Sequence, residues 1–191
     1  MPRYIAFYKP YAVLCAFTDR EGRSTLSDYI PVRGVYSAGR LDYDSEGLLI
    51  LTDDRDLNHR LTDPRFEHRK SYLVQVEGVV DPARLDPIRR GLVLRGRTVR
   101  PAEVEIVAEP GVPPPGRPIR NYHPTTWLRI VMTEGKKRQV RRMTAALGYP
   151  TLRLVRVAMG EVTLGQLQPG QWRDLTRREI IRLRLSVGLG G

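Results

Sequence analysis

The pattern of apolar and polar positions predicts short strands and short helices in mixed order. Alternating or continuous apolar runs of four to eight residues are typical of strands, whereas apolar positions three or four residues apart are typical of helices. The predicted strands cover residues 4–8, 13–17, 34–37, 48–51, 70–76, two or three short stretches within 91–105, 126–132, 151–157 and 161–164. The predicted helices cover residues 25–30, about 54–61, 81–90, 136–147 and 177–183.

This order lacks the strict strand–helix–strand alternation of a parallel sheet. It favours an α+β fold with a mixed, largely antiparallel sheet and flanking helices. We expect residues 1–191 to form a single domain, with room for two sub-lobes. Residues 109–122 hold five prolines and two glycines, which excludes a regular element. We expect this segment to be a projecting basic loop rather than a linker.

Composition adds a strong charge to this picture. The 191 residues carry a net charge of +11, and nearly all of the positive charge comes from arginine, with 28 Arg against four Lys. Such a charge favours a polyanionic partner, with nucleic acid first and an acidic membrane second. Arginine grips phosphate with a planar fork and stacks on bases, which lysine does not do. A general compositional bias or adaptation to heat is the alternative explanation for the arginine content.

Several classes of protein are excluded by what the sequence lacks. No segment approaches the roughly 20 apolar residues of a membrane span, and the first residues do not resemble a signal peptide. We therefore expect a cytoplasmic protein. The lone Cys15 excludes an intramolecular disulfide and a thiolate zinc site, and its apolar neighbours predict a core position. The three histidines show no metal-ligand spacing.

Residues 39–54 concentrate acids in this basic chain, with five of its 21 carboxylates. Arg40 precedes Asp42, and the apolar run 47–51 follows, so the turn should present the Asp42 carboxylate rigidly at the mouth of a buried strand. A partly buried acid there needs a cationic partner. Turns and helix caps are the plain alternative for the other acids, and a magnesium site is another.

The segment 136–142 places five cations in seven residues at the start of a predicted helix. Val140, Met143 and Leu147 form its core-facing stripe, and Arg141 borders that stripe. A solvated basic helix is one interpretation. The other is a phosphate-binding ridge whose inward-facing Arg141 meets the Asp42 carboxylate.

Tyr72 lies in the predicted strand 70–76. Tyrosine in a strand usually packs in the core. Beside an RNA-binding cleft, an aromatic face instead stacks on an everted base.

Taken together, these motifs resemble those of a known family over nearly the whole chain. They are Tyr8-Lys9-Pro10, Gly39-Arg40-Leu41-Asp42, Ser45-Glu46-Gly47-Leu48-Leu49, Thr52 with Asp54, Lys70-Ser71-Tyr72, Glu134-Gly135-Lys136, Arg138 to Met143, Leu154-Val155-Arg156 and Gly160. The sequence resembles pseudouridine synthases of the ribosomal small-subunit synthase A type, which modify uridines in ribosomal RNA. It is most similar to the short members that act on the large subunit. We therefore expect no N-terminal RNA-binding domain of the S4 type.

The resemblance implies a role for each matching residue. Asp42 matches the essential carboxylate, Tyr72 the tyrosine that stacks on the target base and helps to move the C5 proton, and Arg141 the basic residue that pairs with the aspartate. Leu154 matches the apolar wall of the uracil pocket, and Arg40 an arginine that holds the opened RNA. Further RNA contacts are expected from Lys9, Lys136, Arg138 and Arg142.

The resemblance also implies no cofactor and no metal, ribosomal RNA as the partner, and a central active-site cleft; a monomer is expected. The residues alone leave two other functions open. One is a non-catalytic RNA-binding factor in ribosome assembly, and the other is a magnesium-dependent nuclease that uses Asp42, Asp44 and Asp53. They also leave open whether Asp42 attacks C1′ or acts as a base at the 2′ position.

Overall fold

One mixed sheet runs through the molecule and carries helices on its faces. The computed structural model describes residues 2–120 and 122–190. The strands are β1 (Tyr4–Lys9), β2 (Tyr36–Ser37), β3 (Glu46–Thr52), β4 (Lys70–Glu77), β5 (Val93–Leu94), β6 (Arg97–Thr98), β7 (Glu103–Val107), β8 (Thr125–Met132), β9 (Thr151–Met159), β10 (Val162–Thr163) and β11 (Trp172–Asp174). The α-helices are α1 (Arg55–Thr62), α2 (Asp86–Arg90), α3 (Gln139–Ala146) and α4 (Arg177–Ser186), and single 3-10 turns cover Leu26–Asp28, Pro64–Phe66 and Pro82–Leu85.

The strand order in the main sheet is β11-β1-β3-β9-β4-β8-β7, with β2 paired to β3 and β10 paired to β9. The pairing of β3 with β9 is parallel, and the other pairings in this sheet are antiparallel. The predicted α+β class with a mixed, largely antiparallel sheet is therefore confirmed. Strands β5 and β6 form a separate hairpin.

Three apolar clusters cover the two halves of the sheet. Strands β4 and β8 pack against α2 and α3. One face of β1 and β3 packs against α1 and α4, and the opposite face packs against the segment around Leu26, Ile30 and Val35. Every residue of β3 is buried, which is why its sequence is a continuous apolar run rather than an alternating one.

Local capping chemistry fixes where two of the helices begin. The side chain of Asp54 accepts a hydrogen bond from the Leu57 amide at 3.0 Å, which caps α1. Thr176 and Glu179 form a reciprocal capping box at the start of α4. Both starts were predicted from the sequence.

The predicted strand 13–17 is wrong. Ala12 has a left-handed backbone, with φ of 59°, and the Val13 carbonyl accepts a hydrogen bond from the Lys9 ammonium at 2.7 Å. That carbonyl is therefore not available for pairing with another strand, and Leu14 makes only an isolated bridge to Thr25. Strand β11 was not predicted because three residues are too few to show a period.

Around Pro113 and Arg117, the proline-rich segment lies against the body of the molecule instead of projecting freely. The Pro113 carbonyl accepts from Arg153 Nη2 at 2.8 Å. Arg117 Nη2 donates to the Leu152 carbonyl at 2.8 Å, and its guanidinium lies 5.1 Å from the Tyr11 ring centroid. These contacts fasten the segment to β9 and to the turn after β1, a tertiary outcome that composition does not reveal.

Gly47 permits the parallel contact between β3 and β9. Its φ is 108°, and a Cβ built on it would lie 2.3 Å from the Arg156 carbonyl oxygen and 2.6 Å from the Arg156 amide nitrogen. Only glycine fits such an approach of two backbones.

We predict that Gly47→Ala destabilises the fold by on the order of 3 kcal/mol, because a side chain there combines backbone strain with overpacking. For a chain of this size the loss corresponds to a fall in melting temperature of roughly 6–12 °C. Thermal unfolding followed by circular dichroism measures it.

Gly34→Ala is the matched control. Gly34 has a comparable positive φ of 78°, but nothing lies within 4 Å of its built Cβ. Only the backbone strain, about 1 kcal/mol, should therefore remain. Equal losses in the two variants would contradict the packing argument.

Candidate active site

A cavity of about 360 Å³ opens where the two halves of the sheet meet. Its walls come from residues 39–45, the end of α1, strands β4 and β9, and the segment that joins β8 to α3. The volume lies within the range of small-ligand pockets. Of the predicted site residues, those that line it are Arg40, Asp42, Tyr72, Lys136, Arg138 and Leu154.

Asp42 reaches the cavity on a turn that is held at both ends. The Asp42 carbonyl accepts from the Ser45 amide at 3.0 Å and the Tyr43 carbonyl from the Ala12 amide at 2.9 Å. The buried Leu41 donates its amide to Cys15 Sγ at 3.2 Å. The Asp42 side chain remains 33% exposed, so its carboxylate is both anchored and accessible.

The cations meet the acids differently from the expected pairing. Arg141 was expected to pair with Asp42, but its Nη2 donates to the Asp44 backbone carbonyl at 2.6 Å and lies 3.5 Å from Asp44 Oδ2. Arg138 makes a two-pronged contact with the Asp44 carboxylate at 2.9 and 3.0 Å. Arg138 is also the cation nearest to Asp42, at 3.9 Å from Oδ2.

Asp44 therefore organises the arginines of this site. Burial acts to raise the pKa of its carboxyl group, but the hydrogen bonds from Arg138 and the positive charges of Arg141 and Arg138 outweigh it and hold that pKa below its ordinary value. The Asp44 carboxylate thus positions Arg138 beside Asp42. The sequence showed the acid but not which arginine it would meet.

The turn before α3 holds Arg138 in an uncommon backbone conformation. Arg138 has φ of 54°, which non-glycine residues adopt only where surrounding contacts impose it. Here the buried Glu134 accepts from Gln139 Nε2 at 2.5 Å and lies 3.2 Å from the Lys136 ammonium. The left-handed residue also explains why α3 begins at Gln139 and not at the predicted residue 136.

Tyr72 and Leu154 lie on neighbouring strands and share one face of the sheet. In the register of β4 with β9, Tyr72 is opposite Arg156 and Val74 is opposite Leu154. The register shifts between Ser71 and Tyr72, and such irregularities change the direction of side chains beside functional sites.

Two predicted RNA contacts lie elsewhere. Lys9 is 0% exposed, and its ammonium donates to the carbonyls of Pro10 at 2.8 Å and Val13 at 2.7 Å. The prediction that Lys9 contacts substrate is therefore wrong, since it secures the turn after β1. Burial lowers its pKa to about 8. Arg142 is half-buried on α3 and lies outside the cavity lining.

Besides the exposed Lys137, the structure adds two less exposed basic residues to the cavity wall that had no predicted role, Lys70 and Arg156. Both belong to motifs visible in the sequence. Their position in the wall depends on the pairing of β4 with β9, which local periodicity does not specify.

The acids of the 39–54 segment do not gather into a metal site. Within residues 2–120 and 122–190, no three or more His, Cys, Asp or Glu side chains are grouped so that they could hold a metal ion. Asp53 instead accepts the Arg3 amide at 2.7 Å. In the same ranges, no helix has the length and apolar character needed to cross a bilayer.

Comparison with known proteins gives consistent matches. Residues 3–146 match the family model described as RNA pseudouridylate synthase. The chain is 53% identical over 177 residues to the ribosomal large subunit pseudouridine synthase E of Vibrio vulnificus (strain CMCP6), which covers 91% of this chain and 75% of the relative. It is 51% identical over 170 residues to the protein of that name from Xanthomonas campestris pv. campestris, which covers 86% of this chain and 91% of the relative.

A solved structure supports the same grouping. The crystal structure of a pseudouridylate synthase superposes with a TM-score of 0.82 at 31% sequence identity, and the match covers 96% of this chain and 74% of that one.

His68, next to the cavity residue Lys70, gives a pH-dependent prediction. It is buried, neither ring nitrogen has a partner among the described residues, and burial together with the charges of Lys70 and Arg156 lowers its pKa to about 4. Between about pH 6.5 and 4 the unfolded chain therefore binds a proton that the folded chain excludes. Stability falls as the pH drops through this window, by roughly 3 kcal/mol for this group.

We predict that His68→Gln removes this loss. Relative to the wild type, the variant should gain roughly 3 kcal/mol in free energy of unfolding between pH 7 and pH 4, measured by urea denaturation at each pH. His59→Gln is the control, because that side chain is 61% exposed. A parallel pH dependence for His68→Gln and the wild type would contradict a buried neutral imidazole.

Proposed function

Since this chain belongs to the RNA pseudouridylate synthase family, we propose that it isomerises a specific uridine to pseudouridine in large-subunit ribosomal RNA. The names of its relatives from Vibrio vulnificus and Xanthomonas campestris support this substrate. The observation that carries the proposal is Asp42, an accessible carboxylate that lines a base-sized cavity with Tyr72 and Leu154.

The reaction asks one carboxylate to act at the ribose while the base stays enclosed. The C1′–N1 bond breaks, the freed ring turns, and C1′ rejoins the ring at C5; C5 then loses its proton and N1 gains one. Asp42 serves as the nucleophile at C1′ or as the base at the 2′ position. The Arg138 guanidinium lies 3.9 Å from its Oδ2.

Tyr72 and Leu154 form the walls against which the ring turns. Both are nearly buried and line the cavity, so they exclude water from the freed base. The Tyr72 ring supplies a stacking surface, and its hydroxyl is our candidate for moving the C5 proton.

The basic rim accounts for RNA binding. Arg40 is exposed at the cavity mouth, and Lys136 and Arg138 line the same opening. A base in a paired or stacked region must first be everted, at a cost of a few kcal/mol. Contacts from these cations to the displaced backbone offset that cost.

The remaining features of the proposal follow from this substrate. We propose that the protein acts on this RNA in the cytoplasm. We propose that the described chain acts as a single catalytic domain and a monomer, since the cavity is walled by one continuous sheet and its helices.

We predict that Asp42→Asn abolishes turnover, with a loss of more than about a thousandfold, because the amide is neither a nucleophile nor a base. Ribosomal RNA with tritium at C5 of uridine reports the reaction by releasing tritium to water. Asp53→Asn is the matched control, because Asp53 is in the same acidic segment but accepts the Arg3 amide, and it should retain wild-type release.

Three results would contradict the proposal. Wild-type protein that binds the RNA without releasing tritium would indicate a non-catalytic binding factor. Unchanged release by Asp42→Asn would remove Asp42 from its role. Cleavage of the RNA that is lost in chelator and in Asp53→Asn would favour a magnesium-dependent nuclease.

Arg141 and Arg142 are adjacent on α3 and should differ in their kinetic effects. The Arg141 side chain is 10% exposed and holds the Asp44 backbone, so Arg141→Ala should lower kcat roughly 10- to 100-fold with little change in KM. Arg142 lies outside the cavity lining but remains a proposed contact to the RNA backbone, so Arg142→Ala should raise KM and leave kcat unchanged. A change in KM alone for Arg141→Ala would support the solvated-helix interpretation.

A further inference from the structure

The inner wall of the cavity holds positive charge without an acid to balance it. Lys70 and Arg156 line the cavity, and burial, together with the charge of Arg156, lowers the pKa of Lys70 to about 8. Among the described residues neither side chain lies within 4 Å of a carboxylate; Lys70 donates instead to the His68 carbonyl at 2.9 Å. Lys70 is half-buried and Arg156 is buried. Two like charges in one wall repel each other, so this wall is suited to an electron-rich ligand.

Arg156 has unused donors. It is 2% exposed, and its Nε donates to the Leu48 carbonyl at 2.8 Å. Its Nη2 has no hydrogen-bond partner among the described residues. A buried charged donor without a partner is costly and uncommon.

A second buried arginine on the same strand shows what a purely structural role looks like. Arg153 is also nearly buried, and it donates from Nε and Nη2 to the buried Glu46 carboxylate, each at 2.9 Å. Its Nη2 also reaches the Pro113 carbonyl. Arg153 lies outside the cavity lining, and its charge is neutralised by Glu46. Arg156 lines the cavity and keeps a donor without a partner among the described residues, so the two arginines have different roles.

The position of Arg156 matches that of a base contact. It is opposite Tyr72 in the register of β4 and β9, at the point where the register shifts. Its backbone is fixed by the close approach of Gly47. The guanidinium is therefore anchored at Nε and at its backbone, beside the ring proposed to stack on the target uracil.

We propose that Arg156 is a further substrate-contact residue, whose terminal guanidinium nitrogens donate to a carbonyl oxygen of the everted uracil, with Lys70 adding positive charge beside it. This inference rests on the proposed function and extends it to base recognition. Uracil presents two carbonyl acceptors, O2 and O4. When the C1′–N1 bond breaks, its electron pair passes to the ring and these oxygens gain negative charge, so the contact strengthens as the reaction proceeds.

Replacing one carbonyl oxygen of the target uridine by sulfur, in combination with a substitution of Arg156, tests the inference. Tritium release at saturating RNA is compared for wild type and Arg156→Met on RNA with uridine, 2-thiouridine or 4-thiouridine at the target site. Sulfur is a weaker acceptor than oxygen, so one thio-substitution should slow the wild type. Arg156→Met should be slowed roughly 10- to 100-fold on uridine, but that same thio-substitution should slow it little further.

Control variants separate contact from folding. Arg153→Met should lower the melting temperature, yet its effect should combine additively with both thio-substitutions. Arg156→Lys retains the charge without the fork and serves if Arg156→Met does not fold; it should also lose sensitivity to the same thio-substitution.

The outcomes distinguish this inference from the proposed function. Failure of the wild type to release tritium from the uridine substrate would overturn the function itself. If the wild type releases tritium normally, and each thio-substitution slows the Arg156 variants as much as it slows the wild type, only the base contact would be overturned. An Arg156 variant that loses RNA affinity alone, with a weaker salt dependence of binding, would assign the arginine to a phosphate instead.

Discussion

The parallel contact between β3 and β9 at Gly47 and Arg156 is the constraint on which the site depends. It joins the two halves of the sheet, each of which has its own apolar cluster. Asp42 comes from the half that contains β3, whereas Tyr72 and Leu154 come from β4 and β9. At this contact the two backbones approach more closely than any side chain allows.

Charge is divided between two regions of the cavity. At the mouth, the carboxylates of Asp42 and Asp44 lie close to the guanidinium groups of Arg138 and Arg141, so two negative charges face two positive ones. On the inner wall, Lys70 and Arg156 have no such balance. This division is suited to a reaction in which a carboxylate acts at the sugar while the base accumulates negative charge.

Buried ion pairs elsewhere hold the walls in place. Glu46, the first residue of β3, pairs with Arg153 of β9 beside the same parallel contact. Arg153 also holds the proline-rich segment through the Pro113 carbonyl. Removing one partner of such a pair would strand a buried charge, so this pair couples the segment to the strands that carry the site.

The sequence by itself determined the α+β class, most elements and the Asp42 turn, because these follow from local periodicity, capping and turn residues. Tyr72 and Leu154 were expected in the pocket because their motifs resemble those of a known family. Only the tertiary structure decided that Arg138 is the cation nearest to Asp42, that Lys9 is buried, and that Arg156 lines the cavity. These outcomes join residues far apart in the chain, such as Arg138 and Asp44. They depend on which strands become neighbours and on how closely two backbones approach, and a local pattern specifies neither.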